Sequence, residues 1–83
     1  MPKPVKPRPR LNISAIDLLS INLVRLRAER RWTQEDLAYE AGLHRTFVGH
    51  VERRVRNPTL ATVECLAAAL DVPMAELFKS SGV

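Results

Sequence analysis

The chain has 83 residues, 46% of them hydrophobic, and a formal net charge of +4. This length allows one small domain, whose limited core makes association between copies a natural supplement. One cysteine excludes an internal disulfide framework, and the two histidines, His44 and His50, do not have the spacing or the partners of a zinc site. No signal peptide or apolar run of the ~20 residues that span a membrane is present, so we expect a cytoplasmic protein.

The positive charge is concentrated at the amino end. Residues 1–10 contain four basic side chains and no acid: Lys3, Lys6, Arg8 and Arg10. The remaining chain carries nine basic and nine acidic side chains and is neutral. Four prolines alternate with the basic residues and prevent regular structure. We therefore predict a flexible basic arm over residues 1–12, either a solubilising tail or a DNA-contacting segment, and a folded domain over residues 13–83.

Five helices are predicted in the folded part. Helix one begins after Ser14, which forms a capping box with Asp17. Its apolar positions recur every three or four residues and give it one core face. A second apolar stripe, formed by Leu18, Ile21 and Val24, predicts a further buried contact with the C-terminal segment or with another chain.

Helices two and three are short and joined by a tight turn. Thr33 and Asp36 repeat the capping signal, and Gly42 ends helix two in a left-handed conformation. Helix three is expected from about Arg45 to Arg53. Two short helices in this arrangement, the second opening with outward polar residues, are typical of a helix-turn-helix that enters the DNA major groove.

Helix four, residues 60–70, is apolar nearly all round, and a short fifth helix is expected over residues 74–78. A helix that is apolar on every side needs burial on more than one side. We therefore predict an all-α, compact five-helix bundle that forms a two-fold homodimer. The predicted interface residues are Cys65, Ala68, Ala69, Val72, Met74, Leu77 and Phe78.

The open face of helix three carries the candidate recognition residues. The guanidinium of Arg45 matches the O6 and N7 acceptors of guanine, and Thr46 offers a hydroxyl and a methyl group. Gly49 costs about 1 kcal/mol within a helix, which close approach to DNA or loose packing would explain. Gln34 starts helix two, where free backbone N–H groups favour a phosphate. Segments 25–31 and 45–56 each hold four arginines against one glutamate and can present one basic face.

Several short motifs carry a family resemblance: TQEDLA (33–38), AGLHRTFV (41–48), VER (51–53), RNPTL (56–60) and LAAALDVP (66–73). With them the chain resembles the phage-repressor and Cro-like (XRE-type) helix-turn-helix family, particularly the small controller proteins of restriction–modification systems. The resemblance implies DNA base contacts from Arg45, Thr46, Gly49 and His50. It implies phosphate contacts from Gln34, Arg53, Arg56 and Asn57. It also implies an ion pair between Arg27 and Glu52 and dimerisation through the last two helices.

The sequence departs from the family at Arg54, where a glycine is usual. A left-handed arginine costs roughly 1–2 kcal/mol. Either the turn differs locally, or the strain is tolerated because Arg54 adds a phosphate contact.

The sequence therefore predicts a transcriptional regulator that binds a palindromic operator on double-stranded DNA as a homodimer, in the bacterial cytoplasm and on the nucleoid. A restriction–modification controller is the first interpretation. An antitoxin, a prophage repressor and a protein-interaction module without DNA binding are the alternatives. No catalytic constellation or glycine-rich phosphate loop is recognisable, so neither an enzyme nor a cofactor, metal or small-molecule site is expected.

Overall fold

The computed structural model describes residues 2–9 and 12–80, so Arg10 of the predicted arm and residues 81–83 of the predicted domain lie outside it. Residues 2–9 are exposed and form neither helix nor strand. The described elements are α1 (Ala15–Glu29), α2 (Gln34–Ala41), α3 (Phe47–Glu52), α4 (Leu60–Leu70) and a 3₁₀ helix (Met74–Phe78). No strand occurs in these two ranges, and the predicted all-α fold class is confirmed.

The five-helix prediction is wrong in its last element, which is a 3₁₀ helix and not an α-helix. The segment has only five residues and follows Pro73. Glu76 donates its backbone N–H to the Pro73 carbonyl at 2.9 Å, three residues back. Such i→i+3 turns are common in pieces too short for a propagated α-helix.

Helices α1 and α2 begin at the predicted caps. Asp17 donates its backbone N–H to the Ser14 hydroxyl at 3.4 Å, and the Ser14 N–H donates back to the Asp17 carboxylate at 3.1 Å. Thr33 and Asp36 make the same reciprocal pair at 2.8 and 3.0 Å. These bonds satisfy backbone donors that have no partner within the helix, which is why the starts of α1 and α2 were predictable from local sequence.

Helix α3 is shorter than predicted, because Arg45 and Thr46 form the turn that precedes it. Thr46 is the N-cap but does not cap with its own hydroxyl. Instead its backbone N–H donates to Nδ1 of His44 at 3.2 Å. The left-handed stop at Gly42, with a φ of 71°, is confirmed.

The core is a cluster of leucines, valines and alanines between the helices. Helix α1 packs against α3 and the 3₁₀ helix, and α2 packs against α3 and α4. The fully buried large side chains are Leu19, Leu23, Leu37, Leu66, Leu70, Leu77, Val48 and Val51. The inclusion of Leu77 corrects the predicted dimer interface, since a side chain with no exposed surface is already used by its own core.

A buried asparagine fixes the C-terminal segment on α1. Asn22 is 2% exposed, and its Nδ2 donates to the carbonyl oxygens of Leu77 at 3.0 Å and Lys79 at 2.9 Å. Its Oδ1 accepts from Arg25 at 3.1 Å, and Arg25 also pairs with Glu76 at 3.1 Å. Directional bonds therefore add to the apolar packing and set how the 3₁₀ helix lies on α1.

Replacement of Asn22 by leucine should lower the free energy of unfolding by about 1–3 kcal/mol, because it leaves carbonyl groups without their donor. Urea unfolding followed by circular dichroism measures the difference. Ala28→Gln, at an exposed position of the same helix, is the control and should change stability by less than about 0.5 kcal/mol. An Asn22→Leu variant as stable as the wild type would show that these bonds do not hold the segment.

Candidate nucleic-acid interface

A buried ion pair connects the helix-turn-helix to α1. Arg27 Nε lies 2.8 Å from Glu52 Oε2, and Arg27 Nη2 donates to Glu52 Oε1 at 3.0 Å. The two side chains are 16% and 6% exposed. Arg27 Nη1 also donates to the Trp32 carbonyl at 2.8 Å. These are the residues that the resemblance paired, and the contact joins α1 and the turn after it to α3.

The charge of this pair is secured by its own hydrogen bonds. The hydrogen bonds to Glu52 raise the pKa of Arg27 above its ordinary value, against the opposing effect of burial. Arg27 therefore keeps its positive charge, which faces the Glu52 carboxylate inside the domain.

Gln34 extends the ion pair to the first residue of α2. Its Nε2 donates to Glu52 Oε1 at 2.8 Å. An amide nitrogen carries two hydrogens, so one remains for an acceptor outside the domain. The sequence indicated a phosphate donor at Gln34 but gave no signal for the bond to Glu52, which orients the amide.

Gly49 does not lie on an open face as the sequence suggested, and it is buried. A Cβ built at this position would lie 2.9 Å from Gln34 Oε1 and 3.2 Å from Arg53 Nη1. The side chains of Gln34 and Arg53 therefore lie across α3 at this glycine. Because glycine has no Cβ, these two side chains can lie against α3. A DNA base could reach Gly49 only if they moved.

Arg45 and Thr46 are exposed in the turn, and His50 is partly buried on α3. The Thr46 hydroxyl lies 2.9 Å from His44 Nδ1, which also accepts the Thr46 backbone N–H. Since Nδ1 is the acceptor for the backbone, the hydroxyl must donate to it as well. The methyl group and the oxygen lone pairs of Thr46 remain available. This role of His44 was not identified from the sequence. Its one sequence signal was a hydrogen-bonding ring two residues before the N-cap of α3.

The connection between α3 and α4 carries the other candidate residues, and Arg53, Arg54, Arg56 and Asn57 are all exposed. The Arg56 guanidinium carbon lies 5.1 Å from the centroid of the Phe47 ring, within the range of a cation–π contact. Arg54 has a φ of 63°, so the turn keeps its left-handed geometry without glycine. Its Nε donates to Asp17 Oδ1 at 2.6 Å, so the guanidinium that was predicted to meet a phosphate is already paired.

Asp17 is a fully charged partner for Arg54. Hydrogen bonds from the Ser14 backbone, from Arg54 and from the Ser14 hydroxyl lower the pKa of Asp17 below its ordinary value. Because the folded-state pKa is depressed, the stability that this carboxylate contributes is present above its unfolded pKa. That contribution is lost as the pH falls through the folded value.

Most of the open positive charge comes from one of the two arginine-rich segments, since in the other only Arg31 is exposed. In segment 25–31, Arg25 pairs with Glu29 at 3.5 Å and with Glu76, and Arg27 pairs with Glu52. Arg30 donates to the carbonyls of Leu26 and Leu70. Within residues 12–80, by contrast, none of the ion pairs involves Arg45, Arg53 or Arg56. The basic face therefore comes from segment 45–56.

The described residues show neither a metal site nor a membrane-spanning helix. They contain no group of three or more His, Cys, Asp or Glu side chains placed to hold a metal ion. None of the helices in ranges 2–9 and 12–80 is both long enough and apolar enough to cross a bilayer.

Truncation of Glu52 should destabilise the domain strongly. Glu52→Ala leaves the Arg27 guanidinium buried without its carboxylate, which costs about 3–5 kcal/mol. Urea unfolding measures the change. Glu40→Ala, which removes an exposed carboxylate from α2, is the matched control and should cost less than about 1 kcal/mol. A Glu52→Ala variant with the same free energy of unfolding as the wild type would show that the pair contributes nothing to stability.

Comparison with known proteins places the chain in a family. The helix-turn-helix family model HTH_3 matches residues 23–77. Control protein C.SmaI of Serratia marcescens is 40% identical over 67 residues, which are 81% of this chain and 80% of that protein. The restriction–modification controller C.AhdI of Aeromonas hydrophila has a TM-score of 0.72 at 41% identity, over 76% of this chain and 96% of that chain.

A third relative has been solved with DNA. C.Esp1396I bound to a 25-base-pair operator has a TM-score of 0.70 at 33% identity, over 81% of this chain and 88% of that chain. The resemblance seen in the sequence is thus confirmed by similarity of both sequence and fold. The chain belongs to the HTH_3 helix-turn-helix family.

Proposed function

We propose that this chain is a transcriptional regulator that binds a near-palindromic operator on double-stranded DNA as a homodimer. The observation that carries the proposal is the exposed surface formed by the α2–α3 turn, α3 and the connection after it. This surface holds arginines outside any described ion pair, on helices whose relative orientation is fixed by Arg27, Glu52 and Gln34. The similar fold of C.Esp1396I, a controller solved on its operator, supports it.

Base recognition is assigned to the amino end of α3. Arg45 is exposed and presents a fork that matches guanine, a contact worth about 1–3 kcal/mol of discrimination against the wrong base. Thr46 offers its methyl group, since its hydroxyl donates to His44. His50 lies one helical turn further along and refines a neighbouring position. Gly49 takes part only by letting Gln34 and Arg53 lie across the helix.

Phosphate contacts are assigned to Gln34, Arg53, Arg56 and Asn57. Gln34 lies at the amino end of α2, where free backbone N–H groups also point at an anion. Arg53 caps the end of α3, and Arg56 and Asn57 follow in the exposed connection. Such contacts set the register of the protein on the duplex but do not read its sequence. The basic residues of the arm add long-range attraction to DNA.

The homodimer is assigned to the carboxyl half together with one stripe of α1. Cys65 and Ala68 are exposed on α4, and the 3₁₀ helix leaves Met74 and Phe78 partly exposed. The α1 stripe predicted to need a partner is covered only in part by its own chain, since Ile21 is 42% and Val24 45% exposed. A two-fold dimer would bring two copies of α3 about 34 Å apart, into successive major grooves on one face of the duplex.

A restriction–modification controller is the favoured role among regulators of this fold. The match to C.SmaI, a control protein, extends over most of both chains. An antitoxin or a prophage repressor with the same fold would bind DNA in the same way. A protein-interaction module without DNA binding can be distinguished from a regulator by one measurement. Only a DNA-binding protein has an affinity for duplex DNA that falls steeply with rising salt concentration.

Two arginines should respond differently to truncation. Arg45→Ala should cost about 1–3 kcal/mol of specific binding and relax the base preference at one position per half-site. Arg56→Ala should weaken binding to all sequences alike and flatten the salt dependence. Fluorescence anisotropy with a duplex selected from a random pool and with a scrambled duplex, at several salt concentrations, measures both effects.

Arg31, exposed at the end of α1 and outside the proposed surface, provides the control for loss of one charge. Arg31→Ala should leave the ratio of specific to nonspecific affinity unchanged. If Arg45→Ala also leaves that ratio unchanged, α3 is not the reading element and the proposed mechanism is wrong.

The protein should sediment as a dimer at tens of micromolar, at twice the 9.4 kDa mass of the chain. Ala68→Arg places a charge in the proposed interface and should give the monomer. Tyr39→Arg, at an exposed position of α2 outside that interface, should leave the dimer intact. Sedimentation equilibrium decides between these outcomes, and a wild-type protein found only as a monomer would contradict the assignment.

A further inference from the structure

The connection between α3 and α4 rests on the first turn of α1. Arg54 Nε donates to Asp17 Oδ1 at 2.6 Å, across 37 residues of sequence. Asn57 and Pro58 from the connection line one cavity together with Ala15 and Ile16 from α1. The ion pair therefore ties the connection to the first turn of α1, and the two segments face each other across this cavity.

Asp17 is itself held rigidly when it meets Arg54. Its Oδ2 accepts the Ser14 backbone N–H at 3.1 Å and the Ser14 hydroxyl at 3.0 Å. Its Oδ1 is the atom that accepts from Arg54. One carboxylate oxygen thus closes the capping box of α1, and the other is presented in a fixed direction to the connection.

Arg54 is the residue at which the chain leaves α3. Its left-handed backbone, with a φ of 63°, is unfavourable for a residue with a Cβ. Its N–H donates to the Val51 carbonyl at 2.9 Å, and the Val55 N–H donates to the His50 carbonyl at 3.0 Å. This turn directs the chain towards Arg56 and Asn57, and the pair with Asp17 holds its side chain.

We propose that Asp17 is a positioning residue for DNA binding, whose ion pair with Arg54 locks the α3–α4 connection so that Arg56 and Asn57 meet the phosphates. Arg54 then serves as the lock and not as a phosphate contact, which revises its predicted role. The inference rests on the proposed function. It also predicts an unusual direction of change in DNA affinity. Loss of a carboxylate near a DNA-binding surface ordinarily tightens binding, whereas loss of the Asp17 carboxylate should weaken it.

Asp17→Asn is the test variant, because it removes the charge and keeps an oxygen that can accept from Ser14. Binding is measured with a duplex selected from a random pool and with a scrambled duplex of the same composition. Affinity for both should fall roughly two- to fivefold, the range expected for loss of an exposed ion pair. Asp17→Glu should restore it. Glu64→Gln, which removes an exposed acid from α4, should bind as tightly as the wild type or slightly more tightly.

A second readout does not involve DNA. In the free protein, the amide hydrogens of Arg54 and Val55 should exchange faster in Asp17→Asn than in the wild type, because the connection opens more often. Unchanged exchange at both amides would show that the ion pair does not lock the turn.

A double-mutant cycle separates the lock from the helix cap. In an Arg54→Gly background, Asp17→Asn should have no further effect on binding. An equal loss in that background would assign the effect to the cap, and the proposal would be wrong. Tighter binding by Asp17→Asn with a steeper salt dependence would also overturn it, by showing that Arg54 is released to a phosphate. A wild-type protein that binds neither duplex would instead contradict the proposed function, while the exchange experiment would still test the lock.

Discussion

The buried ion pair between Arg27 and Glu52 is the interaction on which the rest of the structure depends. An isolated carboxylate that is only 6% exposed would be costly, and the bidentate guanidinium offsets that cost. The leucines and valines of the core stabilise the domain without direction, whereas these hydrogen bonds fix α1, the turn at Trp32 and α3 relative to one another. Through Gln34 the same carboxylate also fixes the start of α2. These polar contacts therefore add directional constraints to the apolar packing of the two helices of the motif.

The candidate interface is defined by which charges the fold leaves unused. The net charge of +4 says little, since the arginines of segment 25–31 are largely committed to carboxylates and carbonyl groups. Segment 45–56 supplies the cations outside those pairs. Arg54 is the exception in this segment, because it forms an ion pair with Asp17. Arg56 lies over the Phe47 ring. Positive potential at the surface thus follows from internal pairing and not from composition.

The amino and carboxyl ends of the domain are organised by long-range polar contacts of the same kind. Asn22 bonds to carbonyl groups 55 and 57 residues away and holds the 3₁₀ helix on α1. That placement buries Leu77 and leaves Met74, Phe78 and the α1 stripe at the surface. A surface suited to a second copy is therefore a consequence of how the C-terminal segment docks.

The sequence by itself determined what depends on neighbouring residues. The capping boxes at Ser14 and Thr33, the left-handed stop at Gly42 and the extent of α4 were all predicted, because caps and apolar periodicity act within a few residues. Tertiary structure alone decided the covering of Gly49 by Gln34, the burial of Leu77 and the pairing of Arg54 with Asp17. Each of these depends on where side chains far apart in the chain meet, and that is fixed only when the helices pack.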